Sequence, residues 1–162
     1  MRFTRGDEAG VRADLSGADL SKANLQKANL AYVNFQGANL EGANLREARL
    51  ASADLTKARL RRADLRKADL TEANLSGADL TEAKAGGAEL FRTDMRSAIL
   101  RRADFGAANF RYAEIGGADF QGAVMQTTIL RETNLEGVDL SGVDLSTALM
   151  PRGYKPPDAT KH

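Results

Sequence analysis

The chain has 162 residues, 23 basic and 22 acidic side chains, a formal net charge of +1 and no Cys. A nearly neutral field argues against a dedicated nucleic-acid binder, and the missing thiols exclude a disulfide framework, a thiolate metal site and a Cys nucleophile. With six Phe, three Tyr and no Trp, a conventional core of large residues is not expected, and Leu and Ala must supply it.

The first ten residues, MRFTRGDEAG, lack the apolar stretch of a signal peptide. No segment approaches the roughly 18 apolar residues of a membrane span. A soluble cytoplasmic protein without a membrane partner is expected. Residues 1–10 are expected to cap whatever follows, with Phe3 as the apolar contact. The Arg-Gly-Asp at 5–7 is a three-residue match of the kind chance produces.

From Val11 to Met150 the sequence repeats every five residues without insertion or deletion, giving 28 units. ADLSGADLSKANLQKANL, at 13–30, shows the pattern: a small apolar residue, Asp or Asn, Leu, then two variable positions. Taking the Leu position as reference, Leu, Phe, Met or Ile recurs at 15, 20, 25 and onward to 150, with Ala85 as the one exception. Two residues earlier stands Ala in most units and Val or Thr in the others. A helix advances about 100° per residue, so a five-residue period would spiral the Leu positions over every face. A flat strand alternates with period two and would flip the Leu at each unit. The pattern fits a chain that bends once per unit. Each unit then points its Ala and Leu positions inward, its Asp or Asn outward, and uses the two variable residues as a corner. Coils that close would stack at the strand spacing of about 4.8 Å.

The number of units per coil also leaves a trace. Gly17, Gly37, Gly77, Gly117 and Gly137 recur at multiples of 20. The corner aromatics Tyr32, Phe91 and Tyr112 share one side on the same count, and the undersized Ala85 lies 20 residues before the oversized Phe105. Four units per coil are expected. The units resemble the pentapeptide repeat family, whose motif is A(D/N)LXX, over residues 11–150. That resemblance implies an all-β fold, a right-handed quadrilateral parallel β-helix of about seven coils. At the strand spacing, seven coils make a rod about 30 Å long.

The outward Asp and Asn column is expected to bond corner amides, as these residues do in turns, and not to form a catalytic or metal array. His162 is the sole His, so the usual triads and transition-metal sites have no residues to draw on. Gly86 and Gly87 form a corner and do not open a phosphate-binding helix. No catalytic, cofactor or metal residue is assigned, and no enzyme is expected.

Departures from the repeat mark two surfaces. Residues 46–67 carry eight basic and three acidic side chains. Arg59 stands where Asp or Asn is usual, and Arg61, Arg62, Arg66 and Lys67 fill consecutive corners. This band is expected to be a solvated face offset by Glu41, Glu47, Asp64 and Glu82; its other reading is an acidic partner or a phosphate backbone. Towards the end, Phe91, Arg111 and Arg131 occupy one corner column with Tyr112 beside it, and Ile129 and Leu149 replace Asp or Asn on the adjoining side. Exposed apolar residues with Tyr, Phe and Arg are typical of an interface centre. The candidate interface is therefore Phe91, Arg111, Tyr112, Ile129, Arg131 and Leu149, and its simplest use is a homodimer through the C-terminal coils.

Residues 151–162, with three Pro, are expected to form a tail in which Tyr154 covers part of the open end. The functional expectation is a rigid protein–protein interaction scaffold with an unidentified protein partner and no cofactor. The alternative comes from the resemblance: some family members mimic B-form DNA, bind type II topoisomerases such as gyrase and confer quinolone resistance. Mimicry asks for a strongly acidic rod, whereas residues 11–150 hold 18 basic and 19 acidic residues.

Overall fold

The computed structural model describes residues 12–155. The expected cap at 1–10 lies outside this range, as do residues 156–162 of the expected tail at 151–162. Parallel bridges join each outward residue to the one 20 positions on, from Asp14 with Asn34 through to Asn109 with Ile129. Four five-residue units therefore make one coil. The bridges are isolated, and no extended strand occurs among the described residues. A corner every five residues leaves only a short extended stretch, enough for a single bridge. The expected β-helix is thus held by single-residue bridges stacked in four columns.

The corner has one geometry throughout. The amide of Ala18 donates to Leu15 O at 3.1 Å, closing a four-residue turn that recurs from unit to unit. Its third residue has positive φ, as a type II turn requires. Lys22, Tyr32, Arg62 and Glu82 all adopt φ between 56° and 63°. For a residue with a Cβ that region costs roughly 1–2 kcal/mol, so the turn bonds and the core must offset it.

Between coils, three amides per unit carry the ladder, two reaching forward and one back. Leu55 N–H donates to Asn74 O at 2.7 Å and Lys57 N–H to Ser76 O at 3.0 Å, while Asp54 N–H reaches back to Val33 O at 3.0 Å. Inside, Leu40, Leu45, Leu50, Leu55, Leu60 and Leu65 are fully buried, with Ala38, Ala43 and Ala48 beside them. Each buried Leu contributes about 1.5–3 kcal/mol. Where Thr replaces Ala the hydroxyl is satisfied: Thr93 donates to Leu70 O at 3.0 Å, Thr128 to Phe105 O at 3.1 Å and Thr133 to Phe110 O at 2.7 Å. The end coils are less covered, since Leu15, Leu20 and Leu25 at one end and Leu135, Leu140 and Leu145 at the other are only partly buried.

The outward Asp and Asn side chains accept from the amide two residues on. Ser16 N–H donates to Asp14 Oδ1 at 2.9 Å, Ser76 N–H to Asn74 Oδ1 at 2.9 Å, and Gly106 N–H to Asp104 Oδ1 at 2.9 Å. At Asp14, Asp64, Asp94 and Asp119 hydrogen bonds favour the charged carboxylate. The Ser16 amide holds Asp14 below its ordinary pKa, the Gln121 amide does the same for Asp119, and the guanidiniums of Arg66 and Arg96 lower Asp64 and Asp94. A carboxyl lowered on folding stabilises the fold above its unfolded pKa, near 4, and loses that contribution as pH falls through the lower folded value. The melting temperature is accordingly expected to be level from neutral pH to about pH 5 and to fall below about pH 4. Thermal scans by circular dichroism across that range check this, and a melting temperature that rises on acidification would contradict the assigned bonds.

Candidate interaction surface

The last side of the coil, which ends in the corner at 91–92, 111–112 and 131–132, carries the cluster expected from the sequence. Phe91 and Tyr112 meet edge to face, with ring centroids 5.6 Å apart and planes at 81°. The Arg92 guanidinium lies 5.1 Å from the Phe91 centroid and 5.9 Å from that of Tyr112, and the Arg111 guanidinium lies 5.9 Å from Tyr112. Rings flanked by guanidiniums gain cation–π attraction of about 0.5–1 kcal/mol at exposed sites. Both cations are also tethered: Arg92 Nη1 stands 3.6 Å from Glu72 Oε1, and Arg111 Nε donates to Glu132 Oε2 at 3.1 Å. Tyr112 remains 45% exposed, so the pair forms a rigid projecting edge.

One and two coils further along, Ile129 and Leu149 stack through a parallel bridge. Leu149 is 44% exposed and Ile129 is half-buried. Arg131 is exposed and has no ion pair among the described residues. The six candidate residues thus follow one side and its corner over successive coils. Arg92 binds the rings together, a part that its place in the corner column hints at but does not specify.

The basic band is arranged differently. Arg59 Nη2 is 3.4 Å from Glu41 Oε2, and Arg61 Nη1 is 4.0 Å from Asp79 Oδ2. Arg62 Nε donates to Glu82 Oε2 at 2.8 Å, and Arg66 engages Asp64 through both Nε and Nη2 at 2.8 and 2.5 Å. Hydrogen bonding to Glu82 raises the Arg62 pKa, as Asp64 raises that of Arg66. Glu82 also receives Arg102, at 2.6 Å from the next coil. Of the five, Lys67 is exposed without an ion pair among the described residues. Charges of alternating sign therefore run along the rod, and the band is mostly neutralised by carboxylates from neighbouring units and coils.

Among the described residues, no group of three or more His, Cys, Asp or Glu is arranged to hold a metal ion, and no helix is long and apolar enough to cross a membrane.

A departure that the sequence reading did not foresee lies before the final coil. Ladder bonds that are regular up to Phe110 N–H, which donates to Ile129 O at 2.8 Å, are missing for Ile115, Gly117, Phe120, Gly122 and Met125. They resume only where Leu130 N–H meets Leu149 O at 2.9 Å and Leu149 N–H meets Thr128 O at 2.8 Å. The gap coincides with Thr133, Val138 and Val143 in the column where Ala is usual. That run was the available signal, although Val33 alone is accommodated with its ladder intact.

Coils of four short units around a Leu and Ala core, with outward Asx-bonded corners, define a non-globular repeat solenoid. The profile of pentapeptide repeats (8 copies) matches residues 11–47, 48–84, 88–126 and 116–146. The chain belongs to the pentapeptide repeat family. Among solved structures it is similar to HetL, a pentapeptide repeat protein involved in heterocyst differentiation regulation from the cyanobacterium Nostoc sp. strain PCC 7120. The identity is 28%, over 87% of this chain and 78% of that one, with a TM-score of 0.48. It is also similar to the pentapeptide repeat protein Rfr23 from the cyanobacterium Cyanothece 51142, at 22% identity over 68% and 82% of the two chains and a TM-score of 0.48. A third similar structure is QnrB1, a plasmid-mediated fluoroquinolone resistance protein, at 18% identity over 88% and 91% and a TM-score of 0.42. No curated protein matches the chain.

Proposed function

We propose that this protein is a non-enzymatic scaffold of the cytoplasm, a right-handed quadrilateral β-helix that holds an interface at fixed spacing for a protein partner. The observation that carries this reading is the Phe91–Tyr112 pair, fixed by Arg92 and Arg111 yet left exposed at Tyr112. A preorganised aromatic edge loses little side-chain entropy on binding, and Tyr and Arg are the residues that dominate interface energetics. The alternating charge along the rod counts against the topoisomerase-directed, DNA-mimicking alternative, which needs one sign throughout. A photo-crosslinking residue at position 112, introduced in the native cells, tests the reading. A discrete protein adduct that Phe91→Ala weakens is expected; adducts only to nucleic acid, or none, would overturn it.

The same reading has two copies meet at their C-terminal coils. Leu149 and Ile129 extend the partly buried Leu135, Leu140 and Leu145 layer outward, and a two-fold pairing would cover both ends at once. Acidic residues near the axis would repel across it, and Arg111, Arg131 and Arg152 are expected to offset them. Sedimentation velocity at micromolar protein is expected to show a dimer that the Ile129→Glu, Leu149→Glu double variant converts to monomer. A monomeric wild type, or a double variant that stays dimeric, rules this pairing out.

A further inference from the structure

We infer that the open seam before the final coil is a docking cleft for an extended, basic peptide segment of a partner protein. On the side formed by residues 117–121 and 137–141, the two coils part to leave a cleft of about 510 Å³ lined by Arg101, Gly117, Asp119, Gln121, Asp139 and Ser141. Its two rims are ladder edges without each other: the amides of Gly117 and Phe120 find no backbone acceptor in the next coil, and the Asp139 amide does not reach Ala118 O. Unpaired edge groups are a template for another chain, and the amide of the buried Phe120 is costly without a partner. An extended segment laid in the cleft would offer main-chain bonds to these unpaired groups, the mode known as β-augmentation.

The glycines at the rim point the same way. Corners elsewhere put Lys, Arg, Glu and Tyr at positive φ without difficulty, so the backbone alone does not demand Gly at 117, 122, 137 and 142. A Cβ added at Gly116, Gly137 or Gly142 would meet nothing within 4 Å. At Gly117 and Gly122 a Cβ would meet only Ser97 and Arg102 of the preceding coil, at 3.5 and 3.2 Å, so the corners flanking the seam carry no side chain and the cleft is lined from its faces by Asp119, Gln121, Asp139 and Ser141.

Charge selects the occupant. Asp119 and Asp139 line the cleft, and Asp119 already holds Arg101 at 2.6 Å. The final coil adds Glu136 and Asp144 against the single Arg131. Lys or Arg side chains alternating along an extended segment would meet Asp139 and share Asp119 with Arg101. The inference rests on the scaffold reading only in taking a protein as partner. The cleft and the Phe91–Tyr112 corner lie on different sides of the rod, so either can fail alone.

Three synthetic heptapeptides test it: an alternating Lys–Val peptide, its Glu–Val counterpart, and the Lys–Val peptide with N-methylated backbone. The readout is amide exchange at Gly117, Phe120, Gly122 and Asp139 by nuclear magnetic resonance. The Lys–Val peptide is expected to slow exchange at these amides, and the other two are expected to leave them unchanged. In the Asp119→Asn, Asp139→Asn double variant, whose side-chain oxygens still accept the corner amides, its affinity should fall roughly tenfold, the loss of two exposed charge pairs. Three results would overturn the inference: no protection by the Lys–Val peptide, equal protection by the N-methylated one, or amides already protected without peptide.

Discussion

Leu65→Asp is expected to give a chain with no cooperative melting transition at 25 °C, while Arg61→Ala melts as the wild type does. Leu65 is fully buried, and its amide donates to Lys84 O at 2.7 Å. Its column neighbours, Leu45 and Ala85, are buried as well, and among the described residues no Lys or Arg is buried to meet a carboxylate there. The substitution loses about 1.5–3 kcal/mol of apolar burial. It adds a desolvation penalty of several kcal/mol for an unpaired ion, unless the group stays protonated at a smaller cost. Together these match much of the 5–15 kcal/mol that stabilises a typical fold. The defect also sits in mid-rod, where each coil is stabilised only by its neighbours. Arg61 has a side chain 46% exposed and one distant contact, 4.0 Å to Asp79, so its removal should cost under about 1 kcal/mol. Thermal melts of both variants by circular dichroism check the contrast. Equal melting would reverse the inward and outward assignment of the repeat.

That assignment was readable because each five-residue unit repeats the same three decisions. Small and large apolar positions face in, Asp or Asn faces out, and a corner follows. The recurrence of Gly and aromatic residues at multiples of 20 carried the coil size, which the Asp14–Asn34 bridge and its successors display. The Asx bonds were readable for the same reason, since Asp or Asn two residues before a corner amide has a short, defined reach. The neutralisation of the basic band was legible only in outline. Arg66 finds Asp64 locally, but Arg62 and Arg102 both choose Glu82, 20 residues away in either direction, and that choice depends on which coils are adjacent. The seam was not legible. It is a relation between two coils, and each of its units, taken alone, keeps an acceptable motif. Only the unbroken succession of Thr133, Val138 and Val143 marks it, and the isolated departures at Val33 and Thr93 leave the ladder intact.

The largest coupling between core positions is expected at Ala85 and Phe105. These residues occupy the same inward column in successive coils, joined by the Ala85 amide to Asp104 O at 2.7 Å. Ala85 is the one unit without a large reference residue, and Phe105, fully buried, packs edge to face on Phe110 at 5.1 Å. The extra volume of one coil is therefore expected to fill the shortfall of the other. Phe105→Leu alone removes ring atoms while Ala85 supplies nothing to replace them, and a loss of about 1–3 kcal/mol is expected from the cavity. Ala85→Leu alone inserts three carbons beneath an intact ring, and overpacking of this kind costs typically about 1–3 kcal/mol. The double variant places Leu at both levels, as in the Leu45 and Leu65 coils that precede them. It should recover most of the stability lost by either single change, with an interaction energy of about 1–3 kcal/mol measured by a double-mutant cycle in urea. Additive losses would mean that the two side chains fill separate spaces, and that size pairing at a spacing of 20 residues has no bearing on how this rod is packed.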